Sequence, residues 1–189
     1  MWEFTGGLPE TRCGFGSKVE STAKVREWLP QLFKALQVYS VLDAPCGDFN
    51  WMAHVDLSGI NYIGVDSESE MVQAATEKSS EPGKAPSSKI IVCADLLGWP
   101  LPVPVCDLII CRDFLQHLPT VDAQHVTLAF MATGARYIAA TCHSNSSNGD
   151  IVRRGDFRPL NLCRPPFNWP DPLHAVSDGD NRALGLWAL

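Results

Sequence analysis

The sequence predicts an α/β domain built on a doubly wound, mostly parallel sheet that ends in a C-terminal antiparallel hairpin. Three observations predict it. Short β-branched runs alternate with segments of helical length, the pattern of strand, crossover helix and parallel strand. Four of these runs finish on an aspartate, Asp43, Asp66, Asp95 and Asp113, which brings four carboxylates to one edge of such a sheet. The tail then offers two short runs around Asp178-Gly-Asp-Asn181, the composition of a hairpin turn.

Ser21 or Thr22 is positioned to cap a first helix running to about Gln37, because Val25, Trp28, Leu29, Leu32, Phe33 and Leu36 recur at three- and four-residue intervals. Pro30 inside it implies a kink or a later start. Tyr39 to Asp43 reads as the first strand and Asn61 to Asp66 as the second. Glu68 to Lys78 fits a crossover helix with Ser67 as its cap. Lys89 to Asp95 reads as the third strand, Asp107 to Asp113 as the fourth and Arg136 to Thr141 as the fifth, with a helix from Val121 to Thr133 between the last two. From Cys142 to Pro172 the chain turns rich in Asn, Ser, Gly, Arg and Pro. That is loop chemistry inside a compact domain, and such loops carry function. Leu173 to Ser177 and Arg182 to Leu189 flank the hairpin turn.

A chain of 189 residues supports one sizeable core, so residues 1–189 are expected to form a single domain. Within it, residues 1–20 are expected to lie over the ligand site and residues 142–172 on the substrate side. Hydrophobic residues make up 46% of the chain and charged residues 19%, which excludes the composition of a disordered segment. The start, MWEFTGGLPETRCGFGS, lacks a basic leader followed by an apolar run, and no apolar stretch approaches the ~20 residues of a membrane span. A cytoplasmic protein with no membrane partner is expected. The seven cysteines are odd in number and include no CxxC pair, against both a disulfide scaffold and a zinc finger, and no metal is expected. Cys93, Cys106 and Cys111 lie in or beside apolar runs and read as core. A net charge of −6 opposes non-specific nucleic-acid binding, although Arg153, Arg154, Arg158 and Arg164 crowd one stretch and keep a local anion site open.

In a doubly wound sheet, ligands bind beyond the carboxyl ends of the strands, where the four aspartates would sit. Carboxylates are costly to desolvate without partners, so four in one crevice point to a ligand with several donors. The alternative is that each merely caps the helix that follows. Asp66 stands 23 residues after Asp43, close to the ~20-residue offset at which a strand-two acid meets ribose hydroxyls. The loop Ala44-Pro-Cys-Gly-Asp-Phe-Asn50 has one glycine, too few for the close backbone approach a pyrophosphate needs. A nucleoside cofactor without phosphates is favoured.

The ordered series VLDAPCGDFNWM, YIGVDSESEMV, VCADLL and CDLIICRDFLQHLP resembles the motifs of class I S-adenosylmethionine-dependent methyltransferases. Over almost its whole length the chain is similar to a subgroup with an APCGDFNWM-like loop and a late RPLNL and PF stretch ending in LGLW. The resemblance implies a Rossmann-like fold with S-adenosylmethionine as cofactor. It implies that Asp43, Ala44, Pro45 and Gly47 hold the methionine part, with Asn50, Trp51 and Arg112 in the same cofactor set. Asp66 with Ser67 would take the ribose and Asp95 with Leu96 the adenine, while Gly16 and Ser17 close over the site. The family's glycine-rich first loop is replaced here by Pro45 and Phe49 around a retained Gly47.

Asp113 and His117 follow the fourth strand, where this class places groups near the transferring methyl, and are the candidate catalytic residues. His117 has the chemistry of a general base near neutral pH, or of a packing contact. Arg158 and Asn161 are the candidate acceptor contacts, with an anionic small molecule held by bidentate arginine as one option. The alternative is that this loop's aromatics plug the sheet edge. The expected reaction is direct in-line methyl transfer to oxygen or nitrogen of a small molecule. A catalytically silent cofactor-binding subunit is the second reading. The third is an RNA cytosine-C5 methyltransferase using Cys46, since Asp-Ala-Pro-Cys resembles the nucleophile motif of those enzymes. There the motif follows the fourth strand, whereas only 42 residues precede Asp43.

Overall fold

The computed structural model describes residues 10–80, 85–98 and 103–189, so the first nine residues of the expected N-terminal segment lie outside the described residues. Seven strands form one sheet: β1 (Ser40–Asp43), β2 (Asn61–Asp66), β3 (Ser88–Cys93), β4 (Leu108–Cys111), β5 (Tyr137–His143), β6 (His174–Ser177) and β7 (Arg182–Ala188). Their order is β3-β2-β1-β4-β5-β7-β6. β1 to β5 pair in parallel, and β7 runs antiparallel to both β5 and β6. The strand order turns back between β1 and β4, which opens the ligand crevice of a doubly wound sheet above their carboxyl ends.

Alternation along each strand gives the sheet two apolar faces. Val41, Leu108, Ile110, Ala139 and Leu184 face one side, against Val25, Trp28, Leu29, Leu32 and Phe33 of α1 (Ala23–Leu36) and Ala75 of α2 (Ser69–Lys78). Leu42, Ile63, Val65, Ile109, Ile138 and Ala140 face the other, against Ala123, Val126 and Phe130 of α3 (Thr120–Met131). α1 continues unbroken through Pro30. Five buried side chains at ~1.5–3 kcal/mol each outweigh the ~3 kcal/mol that an interior proline costs. Thr22 precedes α1 without capping it, because its hydroxyl donates backward to the carbonyls of Lys18 and Val19.

Two other expectations are corrected. Ser67 does not cap α2: the Glu68 N–H is taken by Asp66 Oδ1 at 3.0 Å, so the strand-end carboxylate serves the helix start. The third strand stops at Cys93, two residues short of Asp95, and as an edge strand it leaves Cys93 exposed, while Cys106 and Cys111 are core as expected. Part of the segment from 142 to 172 packs as a plug, while its Arg154 and Phe157 reach the ligand cavity. Leu160 and Leu162 are buried on the α3 face, Phe167 and Trp169 pack against it, and the Trp187 indole N–H donates to the Pro170 carbonyl at 2.8 Å.

Candidate cofactor and acceptor site

A cavity of about 1080 Å³ opens above the carboxyl ends of β1, β2 and β4. The loop after β1 forms its floor. Backbone pairing threads that loop between the neighbouring strands, with Ala44 N–H on the Ile110 carbonyl and Cys46 N–H on the Val65 carbonyl, both at 2.9 Å. Gly47 then takes φ +54, and a Cβ there would stand 2.6 Å from Cys13 Sγ, so only glycine fits both the backbone and the space. Its N–H donates to Asp66 Oδ2 at 2.9 Å, tying the loop to the end of β2.

The N-terminal segment is fastened over this loop. Buried Asp48 accepts from the Thr11 hydroxyl, the Arg12 N–H and the Lys78 ammonium, at 3.1, 3.0 and 3.0 Å. Asn50 Nδ2 donates to the Ser17 carbonyl and to Glu10 Oε1. Gly16 is thereby pressed against Asp113, whose carboxylate would collide with any Cβ at that position.

Of the residues expected at the cofactor, Gly16, Ser17, Pro45, Gly47, Trp51, Asp66, Ser67, Asp95, Leu96 and Arg112 line the cavity, together with Asp113 and His117. Asp43, Ala44 and Asn50 do not line it. Ala44 is buried in the α3-side core, and Asn50 is committed to the N-terminal segment. Asp43 lies under the floor, where the Tyr62 hydroxyl donates to its Oδ2 at 2.6 Å. Arg158 and Asn161, expected at the acceptor, also lie off the cavity. Arg158 is spent on the Thr120 hydroxyl, Asp150 and the Leu118 carbonyl, and Asn161 on the Ser144 carbonyl and the Cys163 N–H.

Burial raises the Asp43 carboxyl to about 7, against the opposing pull of the Tyr62 hydrogen bond. A folded-state value above the unfolded ~3.9 means that the folded chain holds this proton more tightly. The resulting stabilisation is complete below about pH 4 and is lost as pH rises through about 7. The neutral Asp43→Asn variant should therefore gain melting temperature relative to wild type on going from about pH 5 to about pH 8. A melting difference that stays constant across that range would show that Asp43 is ionised throughout.

The other wall follows β4. Asp113 sits at φ +54, a left-handed conformation that costs a non-glycine residue ~1–2 kcal/mol and holds its carboxylate beside the cavity. Its Oδ1 accepts from Gln116 Nε2 at 2.8 Å and from Arg182 Nη1 at 2.6 Å. Arg112 Nη1 stands 3.4 Å from Oδ2, while Arg112 Nη2 donates at 2.8 Å both to the Gly16 carbonyl and to Asp178. The Arg112 guanidinium also lies over the Trp51 ring. His117 Nδ1 meets the Asp156 carbonyl at 3.1 Å, a group that only accepts, so Nδ1 carries the hydrogen and Nε2 has the lone pair. Burial holds its pKa below the ordinary histidine value.

Cys13, Gln116, Phe157 and Arg182 line the cavity without having been singled out in the sequence as site residues. Gln116 carried one signal, its place between Asp113 and His117. Arg182 carried none, because it reaches the site only through the antiparallel register that sets it opposite His143. Cys46 lines the cavity, but burial pushes its thiol well above the ordinary value, which disfavours the thiolate that a C5 mechanism requires.

Residues 41–133 match the model of a family described as a methyltransferase domain. No curated protein matches the chain. Among solved structures, the magnesium protoporphyrin IX methyltransferase of Synechocystis PCC 6803 with bound SAM is similar over 74% of this chain, at 21% identity and a TM-score of 0.55. The chain spans 66% of that enzyme's length. The methyltransferase domain of bacterial CtHen1-C is similar over 91% of this chain and 99% of its own, at 12% identity and a TM-score of 0.62. The plantazolicin methyltransferase BpumL in complex with SAH is similar over 65% of this chain and 47% of its own, at 13% identity and a TM-score of 0.50. At these identities the likeness is one of fold. The family match takes in the loop after β1, Asp66, Asp95 and the whole segment from β4 through α3, which is the wall of the cavity. By that match residues 41–133 carry a methyltransferase domain, and the mostly parallel seven-stranded sheet with an antiparallel end has the fold of the solved methyltransferases to which the chain is similar.

Proposed function

We propose that the cavity binds S-adenosylmethionine and that the protein transfers the methyl group in line to an oxygen or nitrogen of a small molecule. The observation that carries this reading is the continuity of one cavity from Asp95, Asp66 and the Gly47 loop to Asp113, Gln116 and His117. Its volume of about 1080 Å³ slightly exceeds the ~300–1,000 Å³ of small-molecule sites, room for a cofactor and an acceptor together. Gly16 and the Gly47 loop line the cofactor side, and Asp66 offers remaining lone pairs to ribose hydroxyls. The acidic lining suits a ligand that carries a sulfonium and an ammonium.

S-adenosylmethionine supplies an electrophilic methyl on a sulfonium. The chain's own contribution is to orient the acceptor and to exclude water, which can supply much of the rate. His117 lines the same cavity, and its burial favours the neutral ring, which suits it to take the proton that the acceptor gives up as its bond to the methyl forms. Calorimetric titration with S-adenosylhomocysteine should give one site. No heat with S-adenosylhomocysteine, from a protein that does bind NAD, would sink the proposal. Turnover on a panel of small acceptors then separates an enzyme from a silent binding subunit.

A further inference from the structure

The acceptor end of the cavity carries three features that no residue assigned so far absorbs. Gln116 is 1% exposed and lines the cavity, yet among the described residues its side-chain Oε1 has no hydrogen-bond partner. The orientation of the amide is not ambiguous: Nε2 must face the Asp113 carboxylate, which only accepts, so the other arm is the carbonyl oxygen. A buried acceptor without a partner waits for a donor. Second, Phe157 lines the cavity and is 58% exposed, its ring edged by His117 and His143 at centroid distances of 5.7 and 5.9 Å. Third, every arginine on the cavity wall already has a carboxylate: Arg12 with Glu70, Arg112 with Asp178, Arg154 with Asp122 and Arg182 with Asp113. An anionic acceptor would have to compete with these carboxylates, and it could donate nothing to Gln116.

We propose that the acceptor is a neutral aromatic molecule bearing an O–H or N–H, with its ring against Phe157 and its donor on Gln116 Oε1. This rests on the methyltransferase reading and deepens it. An exposed phenylalanine offers an apolar face for ring packing, and the buried amide oxygen selects against molecules that cannot donate. As the oxygen or nitrogen takes the methyl, its proton leaves the hydrogen bond on Gln116 Oε1 and passes to His117, whose ring edges the same phenylalanine.

The test uses protein loaded with S-adenosylhomocysteine and four probes of one size: naphthol, methoxynaphthalene, naphthoate and the saturated decahydronaphthol. Naphthol should bind at least about tenfold more tightly than each of the other three, which lack the donor, the neutrality and the aromatic ring in turn. Phe157→Ala, a change at an exposed side chain, should weaken naphthol by about tenfold while S-adenosylhomocysteine binds as in wild type. Gln116→Met should abolish the preference for naphthol over methoxynaphthalene, an effect that a purely structural role would not produce. Tighter binding of naphthoate, no binding of any probe, or an unchanged preference in Gln116→Met would overturn the inference. Failure of the wild type to take up S-adenosylhomocysteine at the loading step would instead strike the methyltransferase reading itself.

Discussion

Replacing Arg112 by Met should lower the stability of the protein by about 3–5 kcal/mol, the cost typical of leaving one partner of a buried ion pair alone. The side chain of Asp178 is fully buried and that of Arg112 is 3% exposed, and the two meet at 2.8 Å. Among the described residues Asp178 Oδ2 has no hydrogen bond, so loss of the guanidinium leaves the carboxylate there with only the more distant Arg182 for compensation. Burial already raises the Asp178 pKa against the pull of Arg112, and without Arg112 it should rise further. A raised carboxyl value means that the folded state binds the proton more tightly, so the deficit of the variant should shrink as pH falls. Denaturant titrations at two pH values measure both effects. Adding Asp178→Asn should recover most of the loss, because a neutral amide removes the stranded charge. A deficit below about 1 kcal/mol would mean that the pair is solvated and contributes as surface pairs do. The same variant frees the Gly16 carbonyl from its donor, so affinity for S-adenosylhomocysteine should fall as well.

Asp66→Ala should weaken S-adenosylhomocysteine binding by at least about 2–3 kcal/mol, from two hydrogen bonds to a charged acceptor at ~1.5 kcal/mol each with imperfect additivity. That is about thirty- to a hundredfold in the dissociation constant. The geometry adds a second reason. The same carboxylate takes the Gly47 and Glu68 N–H groups, so the variant also releases the loop after β1 and the first turn of α2. Calorimetry alongside a melting curve separates the two contributions. Affinity within twofold of wild type, with the fold intact, would show that Asp66 does not meet the ribose.

The sequence by itself determined the order of strands and helices, the parallel sheet and the edge at which the ligand site lies. It could do so because those features follow from local periodicity: Asn61 to Asp66 is one strand in the sequence reading and in the structure alike. The loop from Asp43 to Gly47 was legible for the same reason, as a single glycine between two apolar runs. What only the tertiary structure decided is which polar side chains face the cavity. Asp43 and Asp66 look alike at their strand ends, but Asp43 is claimed beneath the floor by Tyr62, from the adjacent strand, and Asp66 is left at the surface of the cavity. Arg158 looked like an anion site because arginines cluster around it, yet the carbonyls and hydroxyl of the α3 entrance consume its guanidinium. Arg182 and Asp178 lie some seventy residues from Asp113 and Arg112 in the chain, and they meet only because β7 inserts antiparallel beside β5. Side-chain partners across such distances depend on register and packing, which no local pattern encodes.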